Sequence, residues 1–114
     1  MKFTVIITTA PYGHERAYSA LRFALTSLLE GIDINLFLIE DGVYLAKNSQ
    51  NPSQAPNYLE YLKNCIESGA IVKACGPCCK ARGLSEEDLL EGVILSTMHD
   101  LVDFVKESDK VISF

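Results

Sequence analysis

The stretches FTVIITT (residues 3–9) and INLFLIE (residues 34–40) are almost unbroken runs of β-branched and aliphatic side chains. A strand with one solvated face alternates apolar and polar residues, whereas a continuous apolar run indicates a strand covered on both faces of a parallel sheet. Three shorter apolar runs, at residues 70–74, 92–95 and 110–113, complete a set of five predicted strands.

Apolar residues at helical spacing separate these runs. They predict helices over residues 15–30 and around residues 59–66, and a last helix that begins with a capping box of Thr97 and Asp100. The acidic run after Ser85 predicts a short helix that begins in the same way. Strands that alternate with helices form βαβ units, and right-handed crossovers place helices on both faces of the sheet. The sequence therefore predicts a single α/β domain over residues 1–114, a three-layer α/β/α sandwich with a five-stranded, mainly parallel sheet.

Composition excludes several classes of protein. The chain has 114 residues, with 10 Lys and Arg against 15 Asp and Glu, and a net charge of −5. This acidic balance argues against a general nucleic-acid binder or a binder of anionic membranes, because both need a positive face. No apolar run approaches the roughly 18 residues of a membrane span. The first residues predict a strand and not a secretory leader, so we expect a cytoplasmic protein whose four cysteines are reduced.

Residues 47–56 form the one long connection that carries no helical or strand pattern. The segment is polar and contains two prolines, Pro52 and Pro56. Loops of this length in a small domain are often functional. We expect a mobile surface loop that could gate a site at the carboxyl edge of the sheet.

Three of the four cysteines lie in the stretch CGPCCKARG, residues 75–83, which follows the third predicted strand. Ligands of open parallel sheets gather at the carboxyl ends of strands, where Cys75 would lie. Backbone N–H groups at a helix start favour a thiolate, and Lys80 and Arg82 add positive charge. Cys78 is one helical turn from Cys75. The stretch predicts a reactive Cys75 thiolate of lowered pKa, with a second thiol in reach.

Other interpretations of the cysteines compete with this one. Free cysteines often act as small buried apolar residues, which we expect of Cys65 on its apolar helix face and of Cys79, which can point toward the sheet. Residues 75–78 also repeat the thioredoxin redox motif, but here the motif follows the third strand and no proline occurs after Pro77.

A structural zinc site is the remaining alternative for the cysteine stretch. Such a site needs four ligands, usually as two spaced pairs, and only Cys65, His14 and His99 could complete it. Because these residues are distant in sequence and do not form a second pair, we predict no metal site. The chain also has no glycine-rich phosphate loop, and we predict no cofactor.

Three motifs lie where the first three predicted strands end: TTAPYG at residues 8–13, DGV at residues 41–43, and the cysteine pair before Arg82 and Gly83. In these motifs, and over nearly its whole length, the chain resembles the DsrE/DsrF-like family. In sulfur-relay members of that family, a cysteine eight residues before this glycine carries sulfur as a persulfide, and Cys75 holds that position. The resemblance implies a five-stranded parallel sheet between helices, and trimers or hexamers.

Persulfide chemistry assigns roles to the neighbouring residues. A bound persulfide needs donors for its negative sulfur, and the N–H groups of Gly76 and Cys78 are candidates. Arg82 would be the counter-charge, or else a structural partner for an acidic residue. Asp41 ends the second strand and His14 follows the first, so both would lie near the same edge of the sheet.

We therefore expect a sulfur carrier in which Cys75 accepts sulfur and Cys78 resolves the loaded or oxidised form. Its expected partners are copies of itself, a sulfur-donor protein and a sulfur-acceptor protein, without nucleic acid or membrane. One alternative is a thiol–disulfide redox protein that uses Cys75 and Cys78. The other is a non-catalytic oligomeric subunit whose cysteines are structural or bind metal.

Overall fold

Five strands alternate with helices in the computed structural model, which describes residues 1–54 and 56–114. The strands are β1 (Lys2–Ile7), β2 (Asp33–Leu38), β3 (Ile71–Cys75), β4 (Val93–Ser96) and β5 (Lys110–Ser113). The α-helices are α1 (Arg16–Leu29), α2 (Tyr58–Glu67), α3 (Gly76–Ala81) and α4 (Met98–Glu107). A first 3₁₀ helix (Glu40–Ala46) follows β2, and a second (Glu86–Asp88) precedes β4.

The strands form one sheet in the order β4-β3-β2-β1-β5, and every neighbouring pair is parallel. Val5 in β1 lies opposite Leu36 in β2 and Ile112 in β5. The predicted five-stranded parallel sheet is confirmed. Because all strands point the same way, the chain segments that follow β1, β2, β3 and β4 emerge at one edge of the sheet.

Helices cover both faces of the sheet, as adjacent residues of β1 demonstrate. The Phe3 ring stacks on Phe23 of α1 with ring centres 6.1 Å apart, whereas the Thr4 hydroxyl donates to the carbonyl oxygen of Phe104 in α4 at 3.1 Å. Neighbouring residues of a strand point to opposite faces, so α1 and α4 lie on opposite sides. Helix α2 packs beside α1, where the Cys65 thiol lies 3.8 Å from the Leu21 carbonyl oxygen. The predicted three-layer sandwich is confirmed.

Two strands end earlier than predicted. β1 ends at Ile7 and β2 at Leu38, although the predicted strands continue for two more residues. After β2, the Ile39 N–H donates to the Ile7 carbonyl oxygen at 3.0 Å, and Glu40 then adopts a left-handed backbone with φ of 56°. This residue turns the chain into the first 3₁₀ helix, so the turn predicted at residues 41–43 is part of a longer helical segment.

The predicted capping boxes are present at both acidic helix starts. The Thr97 N–H donates to Asp100 Oδ2 at 2.9 Å where α4 begins, and the Ser85 N–H donates to Asp88 Oδ2 at 2.8 Å. The second site begins a 3₁₀ helix of three residues. None of the helices in residues 1–54 and 56–114 is long and apolar enough to cross a membrane.

The segment 47–56 begins with anchored residues. The Gln50 side-chain amide donates to the carbonyl oxygens at positions 44, 45 and 47, and the Asn48 amide donates to the Leu89 carbonyl oxygen at 2.8 Å. The predicted mobility of the segment stays a prediction, and its residue Ala55 lies outside the described residues.

Candidate functional site

Cys75 and Cys78 lie where β3 passes directly into α3. Cys75 is the last residue of β3 and the cap of α3, and its Sγ accepts a hydrogen bond from the Cys78 N–H at 3.4 Å. Pro77 fits the first turn of this helix because its missing N–H has no helical partner there. Of the two predicted N–H donors, the one of Cys78 donates to the Cys75 sulfur. The backbone of Gly76 lies against the end of β4, where an added Cβ would be 3.2 Å from the Ser96 carbonyl oxygen.

The four free thiols differ in how much of each is exposed to solvent. Cys65 is fully buried, Cys79 is 1% exposed and Cys75 is 7% exposed, whereas Cys78 is partly exposed. Cys65 lies between α1 and α2, and burial raises its pKa to about 12. The structural roles predicted for Cys65 and Cys79 agree with these positions. Among the cysteines, Cys78 offers the most accessible sulfur.

The pKa of Cys75 is raised, not lowered. Burial is the main cause, and hydrogen bonding with the Cys78 side chain raises it further. The N–H of Cys78 lowers the pKa by less, since its hydrogen bond to the sulfur is long, at 3.4 Å. The lowered pKa predicted for Cys75 is therefore wrong, because a thiol enclosed between strand and helix loses more hydration than one amide returns.

A backbone amide from another element reaches Cys78. The Glu40 N–H donates to Cys78 Sγ at 3.2 Å, across the gap between the first 3₁₀ helix and α3. The left-handed conformation of Glu40, with φ of 56°, costs about 1 kcal/mol for a non-glycine residue. Residues held in such conformations concentrate at functional sites. Nothing in the sequence indicated this contact, since glutamate seldom adopts positive φ.

Asp41 and Arg82 form an ion pair beside the two cysteines. Arg82 Nε lies 3.0 Å and Nη2 2.9 Å from the same Asp41 oxygen, while Nη1 donates to the Cys78 carbonyl oxygen at 3.1 Å. Hydrogen bonding with Asp41 raises the pKa of Arg82. Two predicted site residues thus come together, and Arg82 has the acidic partner that was one of its two predicted roles. The pair ties the first 3₁₀ helix to the end of α3.

Gly42 allows the first 3₁₀ helix to sit directly on the end of β1. An added Cβ would be 2.7 Å from the Ile7 carbonyl carbon and closer still to its oxygen. Any side chain at this position would therefore displace the first 3₁₀ helix from β1, and Glu40 and Asp41 with it. The sequence showed the Asp-Gly dipeptide, which predicted a turn, but the close approach depends on the tertiary structure.

His14 lies in a different part of the edge. It lines an open groove of about 730 Å³ together with Tyr12, Gln50 and Tyr58, and neither Cys75 nor Cys78 belongs to that lining. The Tyr12 hydroxyl donates to Gln50 Oε1 at 2.6 Å, and the Tyr12 and Tyr58 rings lie 4.6 Å apart. In the described residues, no hydrogen bond joins His14 to a cysteine. The structure does not bring this predicted residue to the thiols.

Metal binding by the thiols would need further His, Cys, Asp or Glu ligands around them. Within residues 1–54 and 56–114, no three His, Cys, Asp or Glu side chains are placed to hold a metal ion. The chemistry available at this edge is that of two adjacent thiols, a backbone N–H aimed at one sulfur, and a neighbouring ion pair.

Comparison with known proteins identifies the family. A family model described as DsrE/DsrF-like matches residues 1–114. The chain belongs to the DsrE/DsrF-like family. The resemblance predicted from the strand-end motifs is confirmed, and it extends over the full length.

Relatives within the DsrE/DsrF-like family cover the whole chain. An uncharacterized protein of Methanocaldococcus jannaschii is 75% identical over 114 residues, with 100% of both chains covered. Protein YchN of Escherichia coli K12 is 31% identical, over 99% of this chain and 98% of that one. The crystal structure of E. coli YchN has a TM-score of 0.92 and covers 100% of both chains. Sulfurtransferase TusD of Cronobacter sakazakii is 28% identical, with 100% of both chains covered.

Proposed function

We propose that this protein is a persulfide carrier, which accepts a sulfane sulfur on its Cys75–Cys78 pair and passes it to a thiol of another protein. The observation that carries the proposal is the partly exposed Cys78 sulfur, held by the Glu40 N–H with a second thiol beside it. Membership of the DsrE/DsrF-like family and full-length similarity to a protein named sulfurtransferase support it.

The reaction balances without a cofactor. A cysteine thiolate attacks the outer sulfur of a donor persulfide, R–S–SH, and a new S–S bond forms to that sulfur. The donor S–S bond breaks, and its electron pair leaves with the thiolate R–S⁻, which takes a proton from water. The protein then holds Cys–S–SH, and a second thiolate, on the acceptor protein, removes the outer sulfur in the same way. Nothing is oxidised or reduced overall.

The local structure suits a negatively charged sulfur. Hydrogen-bond donors near an anion in a partly buried site are stronger than donors in water, because the site is less polar than the solvent. The Glu40 N–H supplies one such donor to Cys78, and the Arg82 guanidinium lies next to the Cys78 carbonyl. These features support a cysteine that holds sulfur and does not merely fill space.

Mass spectrometry of the intact protein tests the function. Protein incubated with glutathione persulfide should gain the mass of one sulfur atom, and dithiothreitol should remove it. The variant carrying both Cys75→Ser and Cys78→Ser should gain none, whereas Cys79→Ser is the matched control and should gain sulfur as the parent does. A folded parent protein that gains no sulfur under these conditions would refute the proposal.

A thiol–disulfide function is the second candidate. It is favoured by the hydrogen bond from the Cys78 N–H to Cys75 Sγ, which holds the two residues side by side. Diamide treatment followed by alkylation distinguishes it. A redox protein should lose two hydrogens on oxidation, form a Cys75–Cys78 disulfide, and gain no sulfur from the persulfide.

We also propose that the protein self-associates. Ile94 lies on the α4 side of the sheet, because it pairs with Lys73 and Lys73 lies over the Phe104 ring of α4. The exposed apolar residues on that side are Ile71, Ile94, Met98, Val102 and Val111. Exposed apolar side chains of this kind favour burial against a second copy. Light scattering should show a trimer or hexamer, and a monomer at micromolar concentration would refute this.

A persulfide carrier also needs partner proteins and a compartment that keeps its thiols free. A carrier needs a sulfur-donor and a sulfur-acceptor protein, which we propose as its partners. Because persulfide chemistry requires free thiols and all four cysteines are free, we propose a reducing compartment, the cytoplasm.

A further inference from the structure

We propose that the Asp41–Arg82 ion pair is a latch, a contact that must open before a sulfur donor reaches Cys75; this inference rests on the proposed persulfide function. Cys75 ends β3 and holds the sulfur-carrying position that the family resemblance implies, yet it is only 7% exposed. The rate of sulfur exchange depends on the access of one sulfur to the other. The chain around Cys75 must therefore open before a donor protein can load it.

The start of α3 is the side of Cys75 that can open. Strand β4 closes one side, where Cys75 pairs with Ser96. On the β2 side, strand pairing stops at Ala74, and the first 3₁₀ helix and α3 follow. There the Cys78 N–H donates to Cys75 Sγ at 3.4 Å. Helix α3 has only six residues, too few to be stable alone, so its position depends on contacts with other segments.

The ion pair braces the contact between the first 3₁₀ helix and α3. That contact is the hydrogen bond from the Glu40 N–H to Cys78 Sγ at 3.2 Å. Asp41 follows Glu40 in the chain, and its carboxylate lies 3.0 Å from Arg82 Nε and 2.9 Å from Nη2. Arg82 Nη1 donates to the Cys78 carbonyl oxygen at 3.1 Å. Asp41 and Arg82 are thus positioning residues, which act on Cys75 through Glu40 and Cys78.

The pair lies at the surface, where it can break without unfolding of the protein. The Asp41 side chain is 60% exposed and the Arg82 side chain is 24% exposed. Exposed ion pairs contribute little to stability, and salt screens them. Segments joined by such a contact separate in a small fraction of molecules, while the core stays folded. Loss of the pair should increase this fraction, and with it the access to Cys75.

Alkylation of Cys75 by iodoacetamide measures the opening. The background is Cys78→Ser, so that a label on Cys78 cannot itself open the contact, and mass spectrometry of the digest locates each label. Asp41→Asn and Arg82→Gln should each raise the Cys75 labelling rate by about two- to fivefold, the change expected when an exposed ion pair is lost. The variant with both substitutions should be no faster than Arg82→Gln, because the same pair is broken once.

The two substitutions distinguish a latch from an effect of local charge. Iodoacetamide is uncharged, so both variants should label faster if opening limits the rate. If local charge alone set the rate, loss of the Asp41 carboxylate would favour the Cys75 thiolate, and loss of the Arg82 guanidinium would disfavour it. The two rates would then move in opposite directions. Opposite changes, or no change in either variant, would overturn the latch.

Cys65 shows in the same digest whether opening is local. This residue is fully buried and is labelled only when the protein unfolds. Cys75 should be labelled much faster than Cys65, and low urea should hardly change its rate, because the separation of two short segments exposes little surface. The labelling of Cys65 should rise steeply with urea. If both rates rise in parallel, Cys75 is reached only through unfolding, and the latch is overturned.

A second ion pair and salt provide the matched controls. Glu107→Gln breaks the pair with Lys2, at 3.5 Å, and keeps an oxygen that accepts from Asn35. It should leave the Cys75 labelling rate unchanged, and an equal rise in this variant would overturn the latch. Raising sodium chloride from about 0.05 M to about 0.5 M should speed labelling in the Cys78→Ser background but not after Asp41→Asn, and equal acceleration would contradict the proposal.

Sulfur loading connects the latch to the proposed function. With all four cysteines present, Asp41→Asn and Arg82→Gln should each gain sulfur from glutathione persulfide about two- to fivefold faster than the parent. Unchanged loading despite faster alkylation would overturn the control of sulfur transfer by the pair. If the folded parent gains no sulfur, the persulfide function fails, whereas the alkylation rates still decide whether the pair controls access to Cys75.

Discussion

The substitution Gly42→Ala should lower the stability of the protein and displace the first 3₁₀ helix, which contacts Cys78. The added Cβ would be 2.7 Å from the Ile7 carbonyl carbon and closer to its oxygen, although ordinary contact begins at 3.4 Å. Because the obstacle is the backbone at the end of β1, no side-chain rotation relieves it. The first 3₁₀ helix must retreat from β1 by about 1 Å. That shift weakens the Ile39 N–H hydrogen bond to Ile7 and disturbs the contact of the Glu40 N–H with the Cys78 sulfur.

The cost follows from these contacts. Overpacking in a rigid site costs about 1 to 3 kcal/mol, and a weakened backbone hydrogen bond adds about 1 kcal/mol. We expect the free energy of unfolding to fall by about 2 to 4 kcal/mol, and Tm to fall by about 8 to 17 °C. A domain of this size is stable by about 5 to 15 kcal/mol, so the variant should still fold.

Urea denaturation and thiol alkylation at neutral pH measure the two effects. Gly42→Ala should unfold at lower urea and, at concentrations where it is folded, react with iodoacetamide at a changed Cys78 rate. Gly13→Ala is the matched control, because an added Cβ there meets nothing within 4 Å and should change neither property. If Gly42→Ala keeps the stability and the Cys78 alkylation rate of the parent, the first 3₁₀ helix does not lie on β1 as described.

Two further perturbations test the core. The free energy of unfolding should decline as the pH rises above about 8.5, because unfolded thiols ionise there while burial holds the Cys65 pKa at about 12. The unfolded state then binds fewer protons, so Cys65 alone lowers the free energy of unfolding by up to about 1.4 kcal/mol per pH unit. Urea titrations at several pH values should show a smaller decline of this free energy with pH for Cys65→Val than for the parent. An equal decline in the two proteins would contradict the burial of Cys65. Phe104→Ala should cost about 3 to 5 kcal/mol, because the ring is 4% exposed and meets Phe37 edge-on. The control Val105→Ala, at an exposed position of α4, should stay within about 0.5 kcal/mol of the parent by the same titration.

The amino-acid sequence by itself determined the architecture. The continuous apolar runs at residues 3–9 and 34–40 predicted strands covered on both faces, and the structure has them as β1 and β2 at the centre of a parallel sheet. The capping residues Thr97 and Asp100 predicted where α4 begins. These signals are local in the chain, since hydrophobic spacing and a cap need only a few consecutive residues, and parallel topology follows from the alternation of strands and helices.

The sequence also located the candidate site, but it did not predict the direction of the Cys75 pKa shift. The position of Cys75 after a strand and of Cys78 one turn later follows from spacing, and the carboxyl ends of parallel strands bring Asp41 close to them. The sequence predicted a lowered pKa for Cys75 because the N–H groups of a helix start are visible in a strand-to-helix junction. Burial is not visible there, and burial reversed the direction of the shift.

Only the tertiary structure decided which sulfur is accessible and what holds it. The Glu40 N–H meets a sulfur 38 residues away in sequence, and Arg82 pairs with Asp41 across 41 residues. Both contacts depend on how closely the first 3₁₀ helix approaches the end of β1, a distance that Gly42 permits and that no local pattern encodes. His14 and Asp41 share an edge by topology, yet His14 lines the groove at Tyr12 whereas Asp41 pairs with Arg82. Strand order brings segments to the same edge, but the packing between them determines which side chains come into contact.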